Sequence, residues 1–263
     1  MPHPSGLSAA QIDQFISDGF IRVDEAFPRD LADACRRILW LATGCMEDDP
    51  STWTRPVVRI DQIPNPLFRD AANTPTLCAS YDALVGPGRW LPRGGLGTFP
   101  IRFPSAEDPG DCGWHIDVSF GAEGEADFMK WRANLASKGR ALLMLFLFSD
   151  TGEDDAPTRI RVGSHLDIAR RLAPHGEAGL TLGELASTQF AESAHRPEAR
   201  ATGPAGTVYL CHPFLVHAAQ PHRGRSPRFL AQPPLLPRVP LDPLRPEREA
   251  SPVERAIQLA LTT

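Results

Sequence analysis

His115 and Asp117 stand two positions apart in the segment GWHIDVSF, residues 113–120, whose residue types favour extended structure. On a strand, residues i and i+2 point to the same face, so this imidazole and this carboxylate would lie side by side. Ile116, between them, would point to the opposite face. The pattern offers two ligands for a metal ion, although H-x-D alone is a weak signal that also fits a hydrogen-bonded pair without metal.

A third ligand would come from the segment HPFLVHAAQPHRGRSPR, which offers His212, His217 and His222. One more imidazole completes the two-histidine, one-carboxylate set that holds non-haem Fe(II) and leaves coordination positions open. Arg228 follows His217 by eleven positions (217 to 228), which allows two antiparallel strands joined by a turn. An oxygenase that uses 2-oxoglutarate also needs a cation for the far carboxylate of this cosubstrate. Arginine suits that role, because its guanidinium binds a carboxylate through two parallel hydrogen bonds. We therefore favour His217 and Arg228, since His212 lies a strand's length from the turn and His222 lies within it.

Apolar patterns predict the elements that would hold these residues in place. Ser8 and Gln11 form a capping-box pattern before a helix over residues 9–18, which Gly19 ends. The run ALLMLFLF, residues 141–148, is continuously apolar and predicts a central strand covered on both faces. The other predicted elements are strands at 20–23, 57–60, 97–103 and 206–219, a helix from about 30 to 44, a helix or pair of helical turns over 70–86, an extended Pro-rich segment at 233–246, and a helix after Ser251.

Composition narrows the class of protein. The 263 residues are 42% hydrophobic and 22% charged, which is ordinary for a globular chain long enough for one sizeable domain. The 32 acidic and 27 basic residues are mixed, so no basic field favours nucleic acid or an anionic membrane, and a small-molecule partner is expected. There is no signal-peptide pattern or apolar stretch of about 18 residues. Five cysteines without a CxxC pair argue against a disulfide framework, and together these features predict a cytoplasmic protein.

The motifs, taken in order, resemble the phytanoyl-CoA dioxygenase-like family of Fe(II)- and 2-oxoglutarate-dependent oxygenases. The likeness rests on WHID, on DDAPTRIRVGSH at 154–165 and on GTVYLCHPFLVHAAQPHRGRSPRF, and it extends to LSAAQIDQFISDGFIRV near the N-terminus. It covers about residues 7–230. The resemblance implies a mainly β fold with flanking helices, a double-stranded β-helix or jelly-roll, cupin-like barrel.

The same resemblance implies a role for each motif residue. His115, Asp117 and His217 would be the iron ligands, and Arg228 would bind the distal carboxylate of 2-oxoglutarate. The enzyme would use O2 to hydroxylate an unactivated C–H bond of a small organic substrate, with release of succinate and CO2. Related halogenases have a small residue in place of the carboxylate, so Asp117 favours hydroxylation. His222 stands where many family members carry Asn.

We expect a single oxygenase domain over residues 1–263. Residues 1–95 would form a helical N-terminal flank and the first strands, residues 96–232 the barrel core with the metal site, and residues 233–263 a Pro-rich tail and a C-terminal helix. Residues 120–140 have the Gly-rich start typical of a mobile segment.

Four further residues are candidates for the substrate or cosubstrate pocket: Arg102, Trp114, Arg159 and Arg161. Arg159 and Arg161 alternate on a predicted strand and would face one side, toward either the cavity or solvent. Trp114 is of a type that is more often a core residue than a platform for substrate. Ser164 and His165, after Gly163, are predicted to shape a turn.

Two rival functions would use the same residues. A cupin-like hydrolase or isomerase could hold zinc or manganese with the two histidines and the aspartate. A non-enzymatic ligand-binding barrel could also carry the motif. Formation of succinate from 2-oxoglutarate would separate the oxygenase from both.

Overall fold

The structure, a computed structural model, describes residues 6–262. Its helices are α1 (Ala9–Asp18), α2 (Arg29–Thr43), α3 (Pro66–Ala72), α4 (Pro75–Val85), α5 (Ser164–Leu172), α6 (Leu182–Ala186) and α7 (Pro252–Thr262). Its strands are β1 (Phe20–Val23), β2 (Val57–Ile60), β3 (Trp90–Leu91), β4 (Phe99–Arg102), β5 (Arg132–Ala133), β6 (Leu142–Leu147), β7 (Arg159–Arg161), β8 (Leu180–Thr181), β9 (Glu198–Arg200), β10 (Val208–Cys211), β11 (His217–Ala218), β12 (Leu230–Ala231) and β13 (Pro234–Pro237). Short 3-10 turns lie at Pro50–Thr52, Phe128–Lys130, Ala173–His175 and Ala191–Ser193.

Strand β6 is the centre of the larger sheet, as its apolar sequence predicts. The sheet has six strands in the order β1-β10-β6-β13-β3, and β12 also pairs with β6. Every residue of β6 is buried, and its side chains alternate between two cores. Leu142, Met144 and Phe146 join the core shared with the helices, whereas Leu143, Leu145 and Leu147 join a second core.

The second core holds two sheets together. It includes Ile160 of β7, which is the middle strand of a three-stranded sheet in the order β11-β7-β9. Tyr209 and Leu230 contribute to it from the larger sheet. The two antiparallel sheets therefore pack face to face as a sandwich, with the helices on the outer side of the larger sheet. The sheets do not close into a complete barrel.

The helix ends follow their sequence signals. Ser8 and Gln11 form the capping box of α1, and Gly19 ends the helix in the left-handed conformation with φ of 83°. Gly44 ends α2 in the same way. Helix α7 packs against α1, α4 and α5, so the C-terminal helix docks on the body of the protein. No helix within residues 6–262 combines the length and the apolar character that crossing a bilayer requires.

Three predicted elements are divided in the structure. The segment 70–86, expected as one helix or a pair of helical turns, lies in two helices, α3 and α4, because Thr74 caps α4 and Pro75 is its first residue. The strand expected over 206–219 is interrupted after β10, where Pro213 has no backbone N–H to donate. Residues 113–120 form only isolated bridges, at His115 and Phe120, and not a continuous strand.

Candidate metal centre

His115 and His217 are brought together by the backbone. They form an antiparallel bridge in which each N–H donates to the other residue's carbonyl oxygen at 2.9 Å. The two ring centroids lie 4.3 Å apart. Asp117 lies beside them, with its Oδ1 3.9 Å from Nε2 of His217. The three side chains place one ligand atom each within 4.8 Å of one another, close enough to share one cation.

Both imidazoles are oriented by a carbonyl two residues upstream. Nδ1 of His115 lies 2.9 Å from the Gly113 carbonyl oxygen, and Nδ1 of His217 lies 3.0 Å from that of Leu215. A carbonyl only accepts, so each Nδ1 carries the proton and each Nε2 keeps its lone pair. Metal-binding histidines are commonly fixed in this way. The donor set therefore fits a divalent cation.

The charge states of these groups also suit metal binding. Burial, followed by the neighbouring His115 ring, lowers the pKa of His217 to about 4, so this imidazole is neutral at physiological pH. Burial opposes ionisation of Asp117, but the Arg140 guanidinium and the two histidines keep its pKa below the usual value. Nη1 of Arg140 lies 3.0 Å from Oδ2 of Asp117. The site therefore presents a carboxylate and an available imidazole nitrogen.

The other two histidines considered as ligands lie elsewhere. His212 is fully buried, with Nε2 3.2 Å from the Val253 carbonyl oxygen and Nδ1 accepting from the Phe214 N–H at 3.2 Å. His222 places Nε2 2.9 Å from the Ser226 carbonyl oxygen. Both rings contact backbone groups, and neither belongs to the cluster.

A cavity of about 670 Å³ opens onto the two clustered histidines. Its lining includes three arginines, Arg59, Arg102 and Arg228. It also includes the apolar side chains of Trp114, Phe128, Met129, Leu182 and Ala186. The cavity is large enough for a small organic molecule beside a cosubstrate.

Arg228 is a buried cation without a carboxylate partner among the described residues. Its side chain is 2% exposed and donates to the carbonyl oxygens of Ala156 and Pro100, the latter at 3.2 Å, while Nε has no acceptor. Burial, followed by the charge of Arg102, lowers its pKa to about 9. A buried charge of this kind is costly unless an anion joins it. Arg228 therefore fits the distal carboxylate of 2-oxoglutarate.

The strand pairing predicted for His217 and Arg228 is wrong. His217 lies in β11, which pairs with β7, whereas Arg228 lies just before β12, which pairs with β6. Arg228 instead forms a backbone bridge with Arg102. The segment between them is a loop stabilised in part by Arg223 and Gly224, whose N–H groups donate to the Asp154 carbonyl. Both side chains nevertheless line the same cavity.

Arg102 lines the cavity beside Arg228, but unlike Arg228 it is paired with a carboxylate. Its Nη2 lies 2.6 and 2.7 Å from the two carboxylate oxygens of Asp111. Asp111 also forms an ion pair with Arg59. Burial opposes ionisation of Asp111, but these two guanidinium groups hold its pKa below the usual value. One carboxylate is thus shared by two cations.

Arg159 and Arg161 are not among the residues that line this cavity, so their role as pocket residues stays a prediction. They face the same side of β7, as expected, and both stack on the Trp114 ring, at 4.5 and 4.3 Å from its centroid. Nη1 of Arg161 donates to the Phe190 carbonyl and to Ser193 Oγ, and Nη2 of Arg159 donates to the Cys112 carbonyl. The two guanidinium groups therefore support Trp114, which itself reaches the cavity.

Ser164 and His165 are structural residues outside the cavity, and they begin helix α5 after the left-handed Gly163. Ser164 Oγ accepts from the Val216 N–H at 2.9 Å, and Nε2 of His165 lies 3.0 Å from the Ile16 carbonyl oxygen. Sequence reasoning missed Arg140 and Asp111. No local pattern marks either residue, because each contacts side chains that only the fold brings near.

The comparisons with known proteins agree with the two-sheet fold and its flanking helices. The model of the phytanoyl-CoA dioxygenase (PhyH) family matches residues 15–230, so the chain belongs to this family. The family uses Fe(II) and 2-oxoglutarate, which confirms the predicted cofactors. No curated protein matches the chain.

Several solved structures share the fold. HygX from Streptomyces hygroscopicus, solved with nickel and 2-oxoglutarate bound, is 18% identical, with 87% of this chain and 86% of that chain covered and a TM-score of 0.54. SnoK, a non-haem α-ketoglutarate-dependent carbocyclase from nogalamycin biosynthesis, is 14% identical, with coverage of 86% and 82% and a TM-score of 0.58. EctD from S. alaskensis, solved with 2-oxoglutarate and 5-hydroxyectoine, is 24% identical, with coverage of 88% and 76% and a TM-score of 0.55. These likenesses confirm the predicted jelly-roll with flanking helices.

Proposed function

We propose that this protein is an Fe(II)- and 2-oxoglutarate-dependent dioxygenase that hydroxylates an unactivated C–H bond of a small organic substrate. His115, Asp117 and His217 would hold the metal, and Arg228 would bind the distal carboxylate of 2-oxoglutarate. The observation that carries the proposal is the presence, in one cavity, of the clustered histidines and a buried guanidinium without a carboxylate partner among the described residues. Succinate and CO2 would be the coproducts.

The protein's own groups would position and charge-balance the reactants. Two imidazole Nε2 atoms and one carboxylate oxygen leave coordination positions free for a chelating cosubstrate. Arg228 would compensate the charge of the distal carboxylate in a buried setting, where an ion pair is weakly screened. When bound, Fe(II) supplies the redox chemistry that couples oxidative decarboxylation of 2-oxoglutarate to oxidation of the substrate by O2.

Asp117 supports hydroxylation over halogenation, because its carboxylate lies in the ligand cluster where a halogenase leaves room for halide. Arg228 argues against the rival hydrolase or isomerase, since that chemistry has no need of a buried cation reserved for a dicarboxylate. The apolar side chains of Phe128, Met129 and Leu182 in the cavity lining support a substrate with hydrocarbon surface. The five cysteines are free thiols, in keeping with a cytoplasmic location.

A binding experiment tests the proposal without knowledge of the substrate. Protein loaded with Ni(II) would be titrated with 2-oxoglutarate and, separately, with glutarate, which has both carboxylates but no 2-oxo group. We expect 2-oxoglutarate to bind at least about tenfold more tightly, because only it chelates the metal while reaching Arg228. Equal affinities would count against the cosubstrate assignment.

A turnover experiment separates the oxygenase from a binding barrel. Protein with Fe(II), 2-oxoglutarate and O2 would be incubated with a panel of small organic compounds, and succinate would be measured. Asp117→Gly is the matched variant and should lose succinate formation. Undiminished turnover in that variant would refute the proposed ligand set.

A further inference from the structure

Arg140 contacts the proposed metal centre from outside the cavity. Its Nη1 lies 3.0 Å from Oδ2 of Asp117, while the other carboxylate oxygen, Oδ1, faces His217. His115 and His217 line the cavity, but Asp117 and Arg140 do not. The two oxygens of Asp117 thus face different partners, the clustered histidine on one side and the guanidinium on the other.

The backbone of Arg140 is fixed by the turn that leads into β6. Arg140 lies two residues before β6, and the N–H of the next residue, Ala141, donates to the Leu235 carbonyl of β13 at 2.8 Å. The Arg140 N–H donates to the Ser137 carbonyl at 3.2 Å, and Ser137 Oγ donates to the Arg140 carbonyl at 2.5 Å. Ser137 Oγ also lies 3.4 Å from Oγ of Ser119, two residues beyond Asp117. The turn before β6 therefore ties Arg140 to the segment that carries the carboxylate.

Arg140 has Asp117 as its one carboxylate partner among the described residues, and its side chain is 13% exposed. Its Nε and Nη1 have no acceptor in hydrogen-bond geometry within residues 6–262. Because few other groups compensate its charge, this largely buried arginine depends on the Asp117 carboxylate for its stability. Asp117 in turn has one oxygen, Oδ2, in an ion pair with a cation that belongs to the protein itself.

We propose that Arg140 is a positioning residue that restricts Asp117 to one metal-binding oxygen and keeps a coordination position free for 2-oxoglutarate. This inference rests on the proposed function. With Oδ2 engaged by the guanidinium, Asp117 would bind the metal through Oδ1 alone. Without Arg140, both oxygens would be available to the metal, and a bidentate carboxylate would occupy the position that the cosubstrate needs. The positive charge of Arg140 would also repel the metal cation and attract the dianionic cosubstrate, so its removal should strengthen metal binding and weaken cosubstrate binding.

The proposal predicts opposite effects on two binding steps. In Arg140→Met, which keeps length but removes charge, we expect Ni(II) to bind about three- to tenfold more tightly and 2-oxoglutarate to bind the nickel-loaded protein about tenfold more weakly. Arg140→Lys retains the charge and should give 2-oxoglutarate affinity between those of Arg140→Met and the wild type. Both titrations are done by calorimetry and need no turnover.

Arg93→Gln is the matched control. Arg93 is partly buried and its pKa is lowered, chiefly by burial and further by the charge of Arg140, so it lies in the same neighbourhood. No contact joins it to Asp117 in the described chain, and its loss should leave both titrations unchanged. A general loss of positive charge is thereby separated from loss of the contact with the ligand.

Each outcome decides a point. If Arg140 served only to stabilise the fold, Arg140→Met would weaken nickel and 2-oxoglutarate binding together, and Arg140→Lys would show the same pattern to a smaller degree. That result, or unchanged 2-oxoglutarate affinity, would overturn the inference while wild-type binding stayed intact. Wild-type protein that bound nickel but no 2-oxoglutarate would instead overturn the proposed function and this inference with it.

Discussion

Arg102 and Arg228 face each other across one backbone bridge, with N–H···O hydrogen bonds of 3.0 and 2.8 Å in the two directions. Directly opposed residues on antiparallel chains project their side chains to the same face. Both guanidinium groups therefore enter the same cavity, and both are 2% exposed. Asp111 forms an ion pair with Arg102 and none with Arg228, so Arg228 is the member of this pair without a carboxylate partner among the described residues.

Replacement of Arg228 should therefore act on cosubstrate binding. We expect Arg228→Gln to weaken 2-oxoglutarate binding to the metal-loaded protein about 100-fold, because the distal carboxylate loses its charge partner in a buried site. Calorimetric titration measures the effect. Arg200→Gln is the control. It removes the same charge from an arginine of β9 that is paired with Glu153, and it should leave the 2-oxoglutarate affinity unchanged. An unaltered 2-oxoglutarate affinity in Arg228→Gln would remove the proposed role.

Metal binding can separate His217, the proposed ligand, from His222, which the sequence also offered as a ligand. Loss of an outer-shell partner of a metal ligand typically costs about 10- to 100-fold in affinity, so loss of a ligand in His217→Ala should cost at least about 100-fold. His222→Ala is the control, since that ring contacts the Ser226 carbonyl and not the cluster. Metal content after dialysis and calorimetry would both report the difference. Stoichiometric metal in His217→Ala would refute its assignment as a ligand.

The sequence predicted the elements whose signals are local. The capping box of α1, the left-handed Gly19 and Gly44, and the apolar run of β6 each depend on neighbours within a few positions. The candidate ligands were also found locally, because H-x-D fixes two side chains at short range and the resemblance supplies the distal histidine. The two histidines lie close together because a backbone bridge joins His115 to His217, and this bridge cannot be read from either motif alone.

The failures share a different cause. The strand neighbour of β11 was predicted wrongly, because the spacing between His217 and Arg228 fits a tight hairpin as well as the longer loop that is present. The spacing of Arg159 and Arg161 predicts a shared face of β7 but leaves open what that face meets, and in the structure both guanidinium groups stack on the Trp114 ring. Such outcomes depend on which sheet a strand joins and on what packs against it, and neither is encoded in spacing.

Acid should destabilise the protein through a buried histidine remote from the metal centre. His165 is fully buried, its ring lies 4.9 Å from that of His212, and burial lowers its pKa to about 4. The unfolded chain has the ordinary value of about 6.5, so as the pH falls the unfolded state takes up this proton first. The stability from a neutral His165 is thus complete above about pH 6.5 and is lost progressively toward pH 4.

Urea unfolding at pH 7.5 and pH 5 would measure this effect. We expect His165 to account for a loss of about 2 kcal/mol between the two values. His165→Gln retains an N–H donor for the Ile16 carbonyl but does not titrate, so its unfolding free energy should depend less on pH. His195→Gln, at an exposed position, is the control and should keep the wild-type dependence. An identical pH dependence in His165→Gln and the wild type would contradict the prediction.

Gly19 and Gly44 form a matched pair that tests how closely α1 packs on His165. Both end a helix at positive φ, 83° and 71°, where an alanine costs about 1–2 kcal/mol from backbone strain alone. A Cβ on Gly44 would meet no heavy atom within 4 Å, whereas one on Gly19 would lie 2.4 Å from Nδ1 of His165 and 2.8 Å from Leu215. Gly19→Ala should therefore lower the free energy of unfolding by about 3 kcal/mol or more, and Gly44→Ala by the strain alone. Urea unfolding at neutral pH gives both values, and equal losses would show that His165 and Leu215 move aside without cost.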